Sequence, residues 1–252
     1  SGETTEIAEL CAEHDLLLLE DSAHGLGSRL HGRHLGTFGA AGAFSFFSNK
    51  NLAVGEGGAA VTDDAALADR MRLLRSHGMT SVSWDRHSGH ASGYDVVALG
   101  YNYRIDEPRA RLAALRLEAL DRQNAQRAEL DGRYRAMFSE LGLECPLAPS
   151  DGLQPAHHLF CVLLPAEVDR ERLRAVLAER KVQTSMHYPP VHHFSIYAAG
   201  APTLAVTDDY ARRAVTLPMF AHMTEAQQDL VVEAVGSALA EQHVPARAAT
   251  DV

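Results

Sequence analysis

Apolar and polar positions alternate along this chain in two distinct rhythms. Residues 3–14 place Ile7, Ala8, Leu10 and Cys11 at helical spacing, with Glu3, Glu6 and Glu9 opposite. Leu16-Leu17-Leu18-Leu19 follows as a short, wholly apolar strand of the kind expected in a sheet covered on both faces. It ends in Glu20-Asp21-Ser22-Ala23-His24. Residues 28–38 read as a hairpin turning at His31-Gly32-Arg33, and Ala43 to Phe47 as a second apolar strand. That strand stops at Ser48-Asn49-Lys50-Asn51, and a glycine-rich turn (Gly55, Gly57, Gly58) leads into a third run, Ala59-Ala60-Val61. Asp63 to Arg75 has the helical period, with Leu67, Met71 and Leu74 on one face.

Residues 77–95 are polar and hold Trp84, the single tryptophan; they read as a mobile loop. One long amphipathic helix is expected from about residue 106 to 141, with Pro108 tolerated in its first turn. Pro146, Pro149, Gly152 and Pro155 then punctuate the chain. Beyond them the pattern predicts a strand at His158–Leu164, a helix at Asp169–Arg180 and a strand at Val182–His187. Helices follow at Asp208–Val215 and Thr224–Leu239, the second opened by a Thr224/Gln227 capping box, and the last ten residues are expected to fray. Helix, buried strand and polar strand end in that order make this an α/β protein, whose ligands bind beyond the carboxyl ends of the strands.

Composition narrows the field. Acidic residues (33) exceed basic ones (23), which argues against a nucleic-acid or anionic-membrane surface. Cys11, Cys145 and Cys161 lie far apart and odd in number, so neither a disulfide framework nor a zinc knuckle is expected. No stretch approaches the roughly 18–20 apolar residues that span a bilayer, and a cytoplasmic location is expected. Histidine pairs occur at His31/His34, His157/His158 and His192/His193, without a carboxylate or cysteine at ligand spacing, so no metal site is expected.

Three strand-end groups need a joint account: Asp21 with His24, Ser45 near Lys50, and Asn102. Each has an ordinary reading, as a turn cap, a satisfied polar residue or a solvated loop residue. Together they supply an amine for an aldehyde cofactor, a carboxylate for a pyridinium nitrogen, and hydroxyl and amide donors for a phosphate, which is what pyridoxal phosphate requires.

Several ordered motifs also carry a resemblance. Glu20-Asp21-Ser22-Ala23-His24, Gly36-Thr37-Phe38-Gly39, Phe44-Ser45-Phe46 with Asn49-Lys50-Asn51, and Gly55-Glu56-Gly57-Gly58 resemble the DegT/DnrJ/StrS sugar aminotransferases. So do Leu99 to Arg104, Gln183 to His192 and Leu217 to Phe220. The resemblance implies a pyridoxal-phosphate enzyme of the aspartate-aminotransferase fold. Residues 1–105 would be part of the large domain, a mostly parallel sheet with flanking helices, lacking its N-terminal portion. Residues 106–252 would be a linking helix and a smaller α/β domain. Lys50 would form the Schiff base and shuttle the proton, Asp21 would pair with the pyridine nitrogen, and His24 would sit beside the ring. Ser45 would contact the phosphate, and Asn102 would reach the phosphate of a neighbouring subunit's cofactor, which implies a homodimer with shared sites. His187 and Tyr188 would lie near the sugar-nucleotide entrance. The implied reaction passes an amino group from glutamate or glutamine to a keto-sugar nucleotide or keto-cyclitol. A non-catalytic remnant or partner subunit is the alternative. A sugar dehydratase of the same family is a second, although those relatives resemble this chain with histidine in place of Lys50.

Overall fold

The computed structural model describes residues 3–81, 93–146, 148–200 and 202–242. Most of the stretch around Trp84, and the terminal residues expected to fray, lie outside these. The chain divides into two compact units: residues 1–121 with 150–156, and residues 122–149 with 157–252.

The first unit begins with α1 (Thr4–Glu13), which runs into β1 (Leu19–Asp21). β2 (Arg29–Leu30) and β3 (Arg33–His34) form the expected hairpin, with His31 and Gly32 both at positive φ in its turn. β4 (Ala41–Ser45) pairs parallel with β1 and antiparallel with β5 (Gly58–Val61), so β4 is the centre of a β1-β4-β5 sheet. α2 (Ala65–Leu74) opens on Asp64, whose carboxylate accepts from the Ala66 and Leu67 amides. The leucine run before β1 departs from expectation. Leu16, Leu17 and Leu19 are exposed, because β1 is an edge strand here and nothing among the described residues covers it.

The single long helix expected at 106–141 is two. α3 (Glu107–Leu117) is capped by Asp106, and α4 (Leu120–Glu140) restarts three residues later. At the break the Ala119 amide bonds back three residues to Arg116. Leu120 is buried there with Leu52 and Val54. A one-sided stripe reads the same whether its helix is continuous or broken, so the pattern could not show this. β6 (Leu153–Gln154) returns to pair with β2.

In the second unit β7 (Phe160–Leu163) is buried along its whole length against β8 (Ala214–Leu217). α5 (Arg170–Glu179) and α7 (Glu225–Ala240) pack together, and α6 (Ala205–Arg213) runs directly into β8. The core gathers Tyr134, Phe138, Phe160, Leu173, Val215 and Val235. Two expectations change. Residues 182–187 form no strand but one bridge, Ser185 with Thr216. The helix expected at 208–215 ends at Arg213 because Val215-Thr216-Leu217 is claimed by β7. The Thr224/Gln227 capping box is present as predicted. Among the described residues no helix is long and apolar enough to cross a membrane.

Candidate active site

Parallel pairing of β1 with β4 sets Asp21 directly beside Ala43, two residues before Ser45. Asp21 closes its own turn by accepting from the Ala23 amide at 3.1 Å. The Ser45 hydroxyl accepts from the Phe47 amide at 3.3 Å, and Ser45 is paired across the sheet with Gly58. Beyond Ser45 the chain folds into a compact loop. The Lys50 amide donates to the Phe47 carbonyl, the Val54 amide to the Phe46 carbonyl, and the Ser48 hydroxyl to the Gly55 carbonyl.

Both residues following Lys50 point inward. Leu52 and Val54 are buried with Leu120, and Leu26, from the turn after His24, packs on the same cluster. Asn51 is buried, and its amide group donates to the Ala156 carbonyl at 2.7 Å, while the Ala156 amide donates to the Ser28 hydroxyl at 2.9 Å. Lys50 thus sits at a fixed point between a strand end and a buried anchor. The Asp21 turn and the Lys50 loop share one small core.

Burial lowers the proton affinity of the Lys50 amine, and the negative charge of Asp21 acts on it in the opposite sense. The pair is therefore close enough to interact, and burial wins. The shift is in the direction that eases loss of the proton, and only the neutral amine attacks a carbonyl. Composition sets this amine apart. Of the 23 basic residues only Lys50 and Lys181 are lysines; the rest are arginines. Guanidinium stays protonated and has no nucleophilic form, so an amine at position 50 is a chemical distinction within an arginine-rich chain.

A second support was also invisible to spacing. Glu20, next to Asp21 on β1, accepts from the Gly36 amide at 2.7 Å through one carboxylate oxygen and from the Gly39 amide at 2.8 Å through the other. It clamps the Gly36–Gly39 turn against the strand that carries Asp21. Gly42 on β4 has its backbone so close to this turn that a Cβ there would lie 2.0 Å from the Gly36 carbonyl oxygen.

His24 lies half-buried in the turn after Asp21. Asn102 is exposed and forms an antiparallel bridge with Ser76, between the stacked rings of Tyr101 and Tyr103. Asp21, His24, Ser45, Lys50 and Asn102 all belong to the first unit. His187 and Tyr188 belong to the second, where His187 Nδ1 lies 2.9 Å from the buried Thr216 hydroxyl and the Tyr188 phenol is exposed.

Residues 1–236 match the DegT/DnrJ/EryC1/StrS aminotransferase family. The spore coat polysaccharide biosynthesis protein SpsC of Bacillus subtilis is 36% identical over 242 residues, which are 91% of this chain and 61% of that protein. Among solved structures, the aminotransferase TlmJ from Streptoalloteichus hindustanus superposes with a TM-score of 0.86 at 30% identity, covering 96% of this chain and 64% of TlmJ. DesV from S. venezuelae, solved in complex with a ketimine intermediate, gives a TM-score of 0.78 at 34% identity over 92% of this chain and 60% of DesV. The chain thus spans somewhat less than two thirds of the length of these relatives.

Proposed function

The chain belongs to the DegT/DnrJ/EryC1/StrS aminotransferase family, and from that membership we propose that it is the part of a pyridoxal-phosphate-dependent sugar aminotransferase that carries the reactive lysine. The observation behind this reading is the placement of Lys50 in the compact loop that ends β4, anchored by the buried Asn51, next to the parallel strand that ends in Asp21. That donor set fits a cofactor with an aldehyde and a basic ring nitrogen. When bound, the cofactor supplies an electron sink for the bond broken at the substrate carbon.

The chain's own residues would do the rest. Lys50 would hold the cofactor covalently and then move the proton at its Nζ. Asp21 would keep the ring nitrogen protonated, and His24 would orient the ring from the same turn. The Ser45 hydroxyl would donate to the phosphate, and Asn102 would serve the cofactor of a second copy in a homodimer. His187 and Tyr188 would contact the substrate. The amino donor would be glutamate or glutamine, and the acceptor a keto-sugar nucleotide or related keto-cyclitol. The sugar-biosynthetic role of the SpsC relative supports the acceptor class.

Titration of the purified chain with pyridoxal phosphate, followed by borohydride reduction and peptide mass mapping, tests this directly. The expected result is saturable visible absorbance and a reduced adduct on Lys50, both lost in Lys50→Ala. Because Lys181 is the one other lysine and is exposed, it is an internal control. An adduct divided evenly between the two positions, or unaffected by Lys50→Ala, refutes the assignment.

A further inference from the structure

Sequence spacing gives the His192/His193 pair no acidic partner, but the fold does. The two histidines end a short 3-10 turn, Val191–His193, and Asp208 lies in the first turn of α6. His192 Nε2 lies 2.9 Å and His193 Nε2 3.0 Å from the same Asp208 oxygen, Oδ1. Among the described residues this is the one group of three whose ligand atoms all lie within 4.8 Å of one another.

Its electrostatic setting is specific. The neighbouring carboxylate, Asp209, is engaged by Arg212 and Arg213. The helix's own cations are therefore spent on Asp209, and the ion-pair partners of Asp208 are the two imidazoles. Their rings meet edge to face with centroids 4.3 Å apart, and both present Nε2 to the same carboxylate oxygen. The His192 side chain is nearly buried (10% exposed) and that of His193 is open (57%), giving one fixed ligand and one facing solvent. His192 also lines a shallow cavity of about 500 Å³ with Tyr197, Leu204 and Thr207, which leaves room for solvent beside it.

We propose that His192, His193 and Asp208 form a binding site for a divalent first-row transition cation of the zinc type, through two imidazole nitrogens and one carboxylate oxygen. Donors around a tetrahedral ion at about 2.0–2.1 Å stand roughly 3.3–3.4 Å apart, so the nitrogens need to open from the carboxylate by only a few tenths of an ångström. Imidazole nitrogens select such ions over magnesium and calcium, which prefer an all-oxygen shell. A bound ion would staple the turn that follows Pro189-Pro190 to the start of α6. It lies outside the Lys50 loop and plays no part in the chemistry proposed there.

The test is calorimetric titration of the untagged chain with zinc chloride, with cobalt(II) absorbance as a second probe of the ligand set. One saturable equivalent is expected, with magnesium chloride giving none. His193→Ala, whose side chain is exposed and whose loss leaves the fold intact, and Asp208→Asn should each weaken zinc binding by about ten- to a hundredfold or more. His34→Ala, on the exposed hairpin of the first unit, should leave it unchanged. The absence of a saturable equivalent, or one that survives in both His193→Ala and Asp208→Asn, overturns the proposal. So does equal loss in His34→Ala.

Discussion

Glu20→Ala is the sharpest perturbation of the frame around Lys50. The carboxylate takes two backbone N–H groups, Gly36 at 2.7 Å and Gly39 at 2.8 Å, both in partly buried surroundings. Hydrogen bonds to a charged group contribute about 1.5–3 kcal/mol each, and partial solvent access takes away roughly half, which leaves about 1.5–3 kcal/mol for the pair. Glu20→Gln keeps one carbonyl oxygen but sets an NH2 group against the other amide, so it should cost about half as much. The effect is local, because the clamp holds a four-residue turn. With two units in the chain, a single global unfolding curve would blur it. Amide hydrogen exchange at Gly36 and Gly39 is the appropriate readout. Two kcal/mol corresponds to roughly thirtyfold faster exchange at both amides in Glu20→Ala, with Glu20→Gln in between. Unchanged exchange at both positions would refute the clamp. Equal acceleration in the two variants would refute the count of two bonds.

Other consequences are as direct. Gly42→Ala drives a methyl into the Gly36 carbonyl, a backbone atom that cannot swing aside; a loss of several kcal/mol is expected in urea melts of the first unit, on the order of severe overpacking. Asn51→Ala leaves the buried Ala156 carbonyl without its donor at a cost of about 1–3 kcal/mol, and should slow the trapping of pyridoxal phosphate on Lys50 by loosening its anchor. Burial pushes the Cys145 thiol up to about 11 from an ordinary 9.0, with Arg135 opposing. Between those values the thiol ionises in the unfolded chain alone, so this group's contribution to stability is full below about pH 9 and falls as pH rises toward 11, a slope that Cys145→Ala removes from pH-dependent melts.

Local signals were legible in the sequence. The starts of three helices expected near residues 63, 106 and 169 fall within a residue or two of the caps Asp64, Asp106 and Asp169, because an N-cap contact spans only two or three residues. The hairpin at 29–34 and the capping box at Thr224 are equally local. The end of the helix expected at 208–215 differs because Ala214 and Val215 carry no local sign of the strand that claims them; β7 lies over fifty residues upstream. Asp21 and Lys50 could be named as strand-end groups, but their mutual influence follows from the β1–β4 pairing, a long-range fact. The same holds for Glu20 on Gly36 and Gly39, for Asn51 on Ala156, and for Asp208, which sits 16 residues from His192. Each joins residue types that are unremarkable until the chain folds back.

The return of residues 150–156 to the first unit has a bearing on how the protein is made. Ser28 and Ala156 are 128 residues apart in sequence, and β2 waits for β6 to arrive from the far side of α4. Closing a loop of that length costs about 4 kcal/mol in chain entropy beyond a constant term. On a ribosome, the buried Asn51 next to Lys50 therefore lacks its Ala156 carbonyl until residue 156 has emerged, by which time α4 has already been synthesised. A cut after residue 121 would not release a self-sufficient lysine-bearing unit. It would remove the Ala156 hydrogen bonds of Asn51 and Ser28 and leave β2 with a bare edge. Because the seven-residue segment 150–156 belongs to the first unit, any circular permutation or split version of the protein has to carry that segment with the first half.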